Sequence, residues 1–131
     1  MSDALLHVEL VAADRVVWSG EATMVIARTS EGDLGVLPGH ESMLAVLVEG
    51  VVEVRADGGE VWVAAVDAGF LSVADDRVSI LSEQAEMSHE IDLERARRDL
   101  ERAQSEGEDD DEALEAVRRA EARVRAVERA G

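Results

Sequence analysis

Cysteine and lysine are both absent from this chain, and proline occurs once. Without cysteine there is no disulfide framework and no thiolate metal site, which fits a reducing cytosol. Without lysine every basic side chain is an arginine; thirteen of them face thirty acids, for a formal net charge of -17. A surface of that sign repels nucleic acid, whose binding requires phosphate neutralisation, and it repels anionic lipid headgroups as well. Two readings of the charge stand open: solubility with biased coding, or a partner that carries a basic surface. No apolar run approaches the ~20 residues that span a bilayer. The opening MSDALLHVEL also lacks the basic start and long apolar core of a signal peptide. The expectation is a protein that acts without inserting into lipid.

A length of 131 residues with 47% hydrophobic content suits one compact domain, or a small domain with an appendage. The texture changes near residue 87. Before it, Leu6, Val8 and Leu10 alternate with His7 and Glu9, the period of a strand with one buried face. Further short β runs cover 15–18, 22–29, 43–48, 51–55, 60–66, 70–74 and 78–81. Ser19-Gly20, residues 30–33, Asp57-Gly58-Gly59 and Asp75-Asp76 read as the turns between them. Strands so spaced, with no helix alternating, predict an antiparallel sandwich or flattened barrel. From residue 91 to 104 the pattern is helical, with Leu93, Ala96, Leu100 and Ala103 on one stripe and Asp92 as a cap. Residues 105–111, SEGEDDD, break it. A second helix carries Leu114, Val117, Ala120, Val124 and Val127, with acids at its start and arginines at its end as the helix dipole favours. Two helices with so short a link predict an antiparallel hairpin. The expected architecture is therefore a β domain over 1–87 and a helical hairpin over 88–131. The hairpin has few large aliphatic side chains and must lean on the β domain, a partner or a ligand.

No catalytic machinery is legible. His40-Glu41 begins like a zinc-protease HExxH motif but lacks the second histidine, and His7, His40 and His89 show no ligand spacing. There is no phosphate loop and no Gly-x-Ser-x-Gly elbow. The expectation is no enzyme and no metal. One stretch stands apart: EGDLGVLPGH, residues 31–40, holds three of the ten glycines and the only proline.

That stretch, followed by Met43-Leu44-Ala45, resembles the signature of the epsilon subunit of the proton-translocating ATP synthase. Three further segments resemble the same family in the same order: Gly69-Phe70-Leu71-Ser72-Val73, Val78-Ser79-Ile80-Leu81, and Ile91-Asp92-Leu93-Glu94-Arg95-Ala96. Asp67-Ala68 and Glu41-Ser42 depart from the family's usual residues. The resemblance implies a non-catalytic rotor subunit of the central stalk, peripheral on the cytoplasmic face of the cell membrane. It would couple proton-driven rotation to ATP synthesis and inhibit ATP hydrolysis through its C-terminal helices. The implied partners are the gamma subunit, the polar loops of the membrane ring and, in the inhibited state, the catalytic alpha/beta hexamer. Glu31, Asp33, Pro38, Gly39 and His40 are the implied rotor interface, with Pro38 fixing φ and the glycines allowing tight reversals.

Arg118, Arg119, Arg123, Arg125 and Arg129 are implied inhibitory contacts, the alternative being plain solvation of a helix. ATP with magnesium is implied as a regulatory ligand. Glu86, Ile91, Asp92, Arg95, Ala96, Arg102, Arg119 and Arg123 match the family's nucleotide-binding pattern, and arginine suits polyphosphate chemically. The competing expectation is that these arginines pair with Glu94, Glu101 and Glu121 across the helices. From another functional class, a free-standing ligand-binding β-sandwich with a helical lid remains an alternative.

Overall fold

The computed structural model describes residues 4–107 and 109–130. Met1, Ser2, Asp3, Glu108 and Gly131, which the readings of the N-terminus, the helix break and the domain limits include, lie outside the described residues. Among the described residues the chain forms β1 Leu6–Ala12, β2 Arg15–Thr29, β3 Gly32–Val36, β4 Met43–Leu47, β5 Gly50–Ala56, β6 Val61–Val66, β7 Gly69–Ala74, β8 Arg77–Ser82 and β9 Ala85–Met87. A 3-10 turn at Ser88–Glu90 leads to α1 Leu93–Ser105 and α2 Asp111–Ala130.

The sheet runs β1-β8-β7-β4-β2-β5-β6-β9, with β3 on β2, and a β1–β2 pairing closes it into a two-layered sandwich. Its pairings are antiparallel except β1 with β8. Alternation does the folding. Leu6, Val8, Leu10 and Ala12 of β1 and Val78 and Ile80 of β8 point inward, where they meet Val25, Val52, Leu71 and Val73.

Three strand expectations need correction. Ser19-Gly20 is no turn: it lies inside β2, opposite Glu9 and Val8 of β1. Its glycine makes room for the Trp18 ring, which a Cβ at position 20 would meet at 3.0 Å. The turn expected over 30–33 shrinks to Ser30-Glu31. There the Thr29 hydroxyl accepts the Glu31 N–H and donates to the Gly32 carbonyl, so the reversal needs no more residues. Gly32 and Asp33 already belong to β3, which pairs with Val25–Thr29 of β2. The three-residue β9, paired to β6, also had no counterpart in the pattern.

Asp92 caps α1 as expected, accepting the Arg95 N–H at 3.2 Å. Ile91 and Asp92 are themselves extended, so the helix begins two residues later than the spacing predicted. The helices are antiparallel: Arg97 pairs with Glu128, and Asp99 with Arg123. The hairpin lies on the outer face of β5 and β6. Ile91, Ala96, Ala122 and Ala126 pack there against Val51, Val63 and Ala65. The α2 stripe read from large aliphatics omitted Ala122 and Ala126, yet these are the residues that let the helix approach the sheet closely. Val124 and Val127 are only partly buried beside them.

The junction is tied down separately. Arg15, the first residue of β2, donates to both Glu90 carboxylate oxygens at 2.8 and 3.0 Å. Glu90 also accepts the Met87 N–H at 2.9 Å. The hydrogen bonds from Arg15, then that from Met87, hold the Glu90 carboxyl below its usual range, and nearby His89 adds slightly. Arg15 is raised in turn, chiefly by Glu90, with Asp14 and Glu86 contributing. The sign follows from linkage. A carboxyl whose folded value is depressed contributes stability above its unfolded value, and this is lost as pH falls through the folded one. Glu90→Gln is therefore expected to be destabilising at pH ~7, and the difference from wild type should shrink below the ordinary glutamate range near 4.5. Urea unfolding at a series of pH values measures this.

Candidate functional site

Three α2 arginines meet three carboxylates of the β sandwich. Arg118 Nε lies 3.0 Å from Glu49, just beyond β4; Arg119 Nε lies 2.9 Å from Asp67, between β6 and β7; Arg123 Nε lies 2.8 Å from Glu86 on β9. Arg123 also reaches Asp99 of α1 at 3.2 Å, so it ties both helices to the sheet. These arginines thus take Glu49, Asp67, Glu86 and Asp99 rather than Glu94, Glu101 and Glu121. For Arg118 and Arg119 the reason is burial. The carboxylates of Glu49 and Asp67 are only 6% and 7% exposed, and a buried charge must be matched. Surface glutamates already have water.

Asp67 is arranged for its role. One carboxylate oxygen accepts the Ala68 N–H at 2.8 Å, which leaves the other for Arg119. Its backbone is held too: the Asp67 N–H donates to Ser82 Oγ, and the Ser82 hydroxyl lies within hydrogen-bonding reach of the carbonyls of Asp67 and Gln84. Gly69 follows, at a spot where any Cβ would strike the Leu81 carbonyl.

The expected nucleotide residues divide into groups. Glu86, Arg119 and Arg123 line one cavity of 190 Å³ together with Asp67 and Gln84. Arg102 lines an adjoining cavity of 220 Å³ that shares Arg119 and Arg123. Asp92 is committed to capping, while Ile91 and Ala96 are buried in the contact between hairpin and sheet. Arg95 is exposed and lines neither cavity. Of the expected inhibitory arginines, Arg118, Arg119 and Arg123 are thus engaged on carboxylates, whereas Arg125 and Arg129 form no ion pair among the described residues. No group of residues able to hold a metal ion occurs among the described residues.

The expected rotor residues are not one loop. Glu31 sits in the β2–β3 turn, Asp33 in β3 is paired with Arg28 at 2.7 Å, and Pro38, Gly39 and His40 follow the strand. At about 3.3 Å per residue, five-residue β3 spreads them over roughly 17 Å. Gly39, at φ 87°, donates its N–H to Asp76 at 2.7 Å, which anchors this end to the β7–β8 turn. His40 Nδ1 lies 2.8 Å from the Glu41 carbonyl.

A second surface was missed by the sequence reading. Val46, Phe70, Leu81, Val11 and Val16 stand opposite one another in consecutive strands β4, β7, β8, β1 and β2. Val46, Phe70, Leu81 and Val16 are each more than half exposed, and Leu44 beside them is 69% exposed. A groove of 470 Å³ lies against Val46, Phe70 and Leu81 of this row. An apolar row this continuous marks an interaction surface. The signal was present: an antiparallel strand with one solvated face should alternate, yet Met43–Leu47 is apolar throughout.

Residues 5–88 match the family model described as ATP synthase, Delta/Epsilon chain, beta-sandwich domain. An ATP synthase epsilon chain from Streptomyces avermitilis is 57% identical, covering 95% of this chain and 96% of its own length. Another from Rhodococcus opacus is 52% identical over 97% of this chain and 99% of its own. Among solved structures, the cryo-EM structure of the Euglena gracilis mitochondrial ATP synthase contains a similar chain. It aligns at a TM-score of 0.74 and 29% identity, covering 98% of this chain and 80% of that one.

The carboxylate geometry makes a prediction about docking. Arg119→Ala and Arg123→Ala each leave a carboxylate unmatched and should weaken hairpin docking by about 1–2 kcal/mol, because the guanidiniums are partly solvated. Urea unfolding followed by helical ellipticity should then show α1 and α2 melting before the sandwich. Raising salt toward ~1 M, where the screening length falls to about 3 Å, should move wild type in the same direction.

Proposed function

Because the chain belongs to the ATP synthase epsilon chain family, a non-catalytic subunit of that complex, we propose that it couples rotation of the central stalk to ATP synthesis and restrains ATP hydrolysis with its hairpin. The observation that carries this reading is that Arg118, Arg119 and Arg123 are already occupied. In the docked form their charges are spent on Glu49, Asp67 and Glu86. To engage acidic surfaces of the alpha/beta hexamer they must first leave these partners. Docking and inhibition are then mutually exclusive uses of the same side chains, which is what a two-state arm requires.

The β sandwich supplies the fixed part. Its apolar row across β4, β7, β8, β1 and β2 is the surface we assign to the gamma subunit, since an obligate partner is where exposed Phe70, Leu81 and Val46 lose their contact with water. The polar edge at Glu31, Asp33 and Pro38–His40 is the part assigned to the membrane-ring loops. The chain would sit peripherally at the cytoplasmic face of the membrane, held by these protein contacts. Among the described residues no helix is long and apolar enough to cross it.

ATP with magnesium is the regulatory ligand of this reading. The 190 Å³ cavity alone lies below the roughly 300–1,000 Å³ of ordinary ligand pockets. A triphosphate would therefore extend across both cavities, using Arg102, Arg119 and Arg123, and would replace Asp67 or Glu86 as their counter-ion. Calorimetry with magnesium-ATP measures this: heat that disappears in Arg123→Ala supports it, and no heat at millimolar nucleotide contradicts it.

One deletion and one substitution test the rest. Deleting residues 88–131 should leave a sandwich that binds gamma, with inhibition of hydrolysis lost in the assembled complex. Phe70→Asp places a charge in the apolar row and should weaken gamma binding by at least about tenfold, with little change in fold, because Phe70 is 52% exposed. Unchanged affinity would move the gamma surface elsewhere.

A further inference from the structure

The hairpin is attached to the sandwich twice, by unlike means. The α2 arginines and the alanine face hold the helices themselves. The segment leading into them takes Arg123 on Glu86 and lies against α2, but it also has contacts of its own with the sandwich. Residues Ala85–Met87 pair with β6 as strand β9. The Ala85 carbonyl accepts from Arg15 Nη2 at 3.4 Å. Arg15 grips Glu90 through both guanidinium Nη atoms, and the Met87 N–H closes back onto the same carboxylate. His89 stands edge-on to Trp62, with ring centres 6.2 Å apart, and Trp62 rests against Trp18 at 6.5 Å. None of these contacts involves α1 or α2.

We propose that Arg15–Glu90 is a pin that keeps Ser88–Glu90 on the sandwich when the hairpin leaves, so that the chain pivots at Ile91–Asp92. This rests on the hairpin being the moving arm, and it moves the mechanical boundary four residues beyond the 87/88 division read from composition. The geometry on either side leaves little choice. The Ile91 N–H is bonded to the Ser88 carbonyl at 3.2 Å and belongs to the 3-10 turn. The Asp92 carboxylate is bonded to the Arg95 N–H and travels with α1. Between them lie only Ile91 φ and ψ and Asp92 φ as free torsions, and both residues are already extended rather than helical. A hinge at such element-terminal positions can absorb a large rotation without breaking a backbone hydrogen bond. Ile91, buried with Ala96, Ala122 and Ala126 against Val51 and Val63, loses the helical side of its packing as the arm lifts.

A short pivot constrains the arm. With the 3-10 turn pinned, the start of α1 stays beside β9 and Trp62, and the helices swing about a fixed point. Without the pin, the tether lengthens by the three residues of the turn and the direction of the arm is no longer set.

Amide hydrogen exchange on the full chain tests this. In Arg118→Ala/Arg119→Ala/Arg123→Ala, amides of α2 should lose protection while Met87 and Ile91 retain theirs. Adding Arg15→Ala should then speed exchange at Met87 and Ile91 by at least about tenfold, and the Trp62 emission should change as His89 departs. Exchanging the pair, Arg15→Glu with Glu90→Arg, should restore the protection, which separates a lost pin from a damaged fold. Loss of protection at Met87 and Ile91 together with α2 in the triple variant would overturn the pin. Retained protection throughout α2 would overturn the moving arm itself, and the pivot with it.

Discussion

A buried carboxylate needs a cation, and Asp67 takes one from a helix that is otherwise weakly attached. Asp67 is held from behind by the Ala68 amide and the Ser82 hydroxyl, which leaves its second carboxylate oxygen to face Arg119. Glu49 is equally buried, and Glu86 shares Arg123 with Asp99. In a chain of net charge -17, the docked hairpin therefore brings positive charge where it is most needed. The apolar contact beneath is small, because Ala96, Ala122 and Ala126 supply much of it. Few large side chains and several ion pairs make an attachment that salt or a competing charge can undo. The thick core of the sandwich could not be undone so readily.

The two halves of the chain differ accordingly. The sandwich holds a core of Leu6, Leu10, Val25, Val52, Leu71 and Ile80 that is almost wholly excluded from water. It presents outward two permanent surfaces, the apolar row and the polar edge at β3. On the reading proposed above, the sandwich is the fixed body that binds its neighbours, and the hairpin is an arm that binds conditionally, as a regulatory appendage on a rotor would. The family membership shown by the full-length relatives favours this over a free-standing ligand-binding module with a lid.

Much of this was legible in the residues. Period-two alternation in β1, the glycines at 58 and 59 and the cap at Asp92 depend on local chemistry, and each falls where its pattern placed it. What was not legible depended on partners far away in sequence. Gly20 looks like a turn until the Trp18 ring is seen to need its space. Gly32 and Asp33 look like a turn until Thr29 is seen to complete the reversal in fewer residues. At the candidate site, the arginines were identifiable but their partners were not. Glu49, Asp67 and Glu86 lie between 37 and 69 residues from them, and nothing local marks these acids as the partners of the arginines. The pin is hidden for the same reason, since Arg15 and Glu90 are 75 residues apart.

The central claim is that docking and inhibition compete for the same α2 arginines, and it can be tested by fixing the docked state. The native chain has no cysteine, so Glu49→Cys with Arg118→Cys provides the only two thiols, at a place where the native side chains meet at 3.0 Å. Joining them with a short bis-methanethiosulfonate cross-linker, which forms a reducible disulfide to each cysteine and releases sulfinate, locks α2 to the sandwich. ATP hydrolysis by the assembled complex should then run uninhibited, and reducing the linker should restore the inhibition that Arg119 and Arg123 still carry. Inhibition that persists with the hairpin locked down would contradict the account.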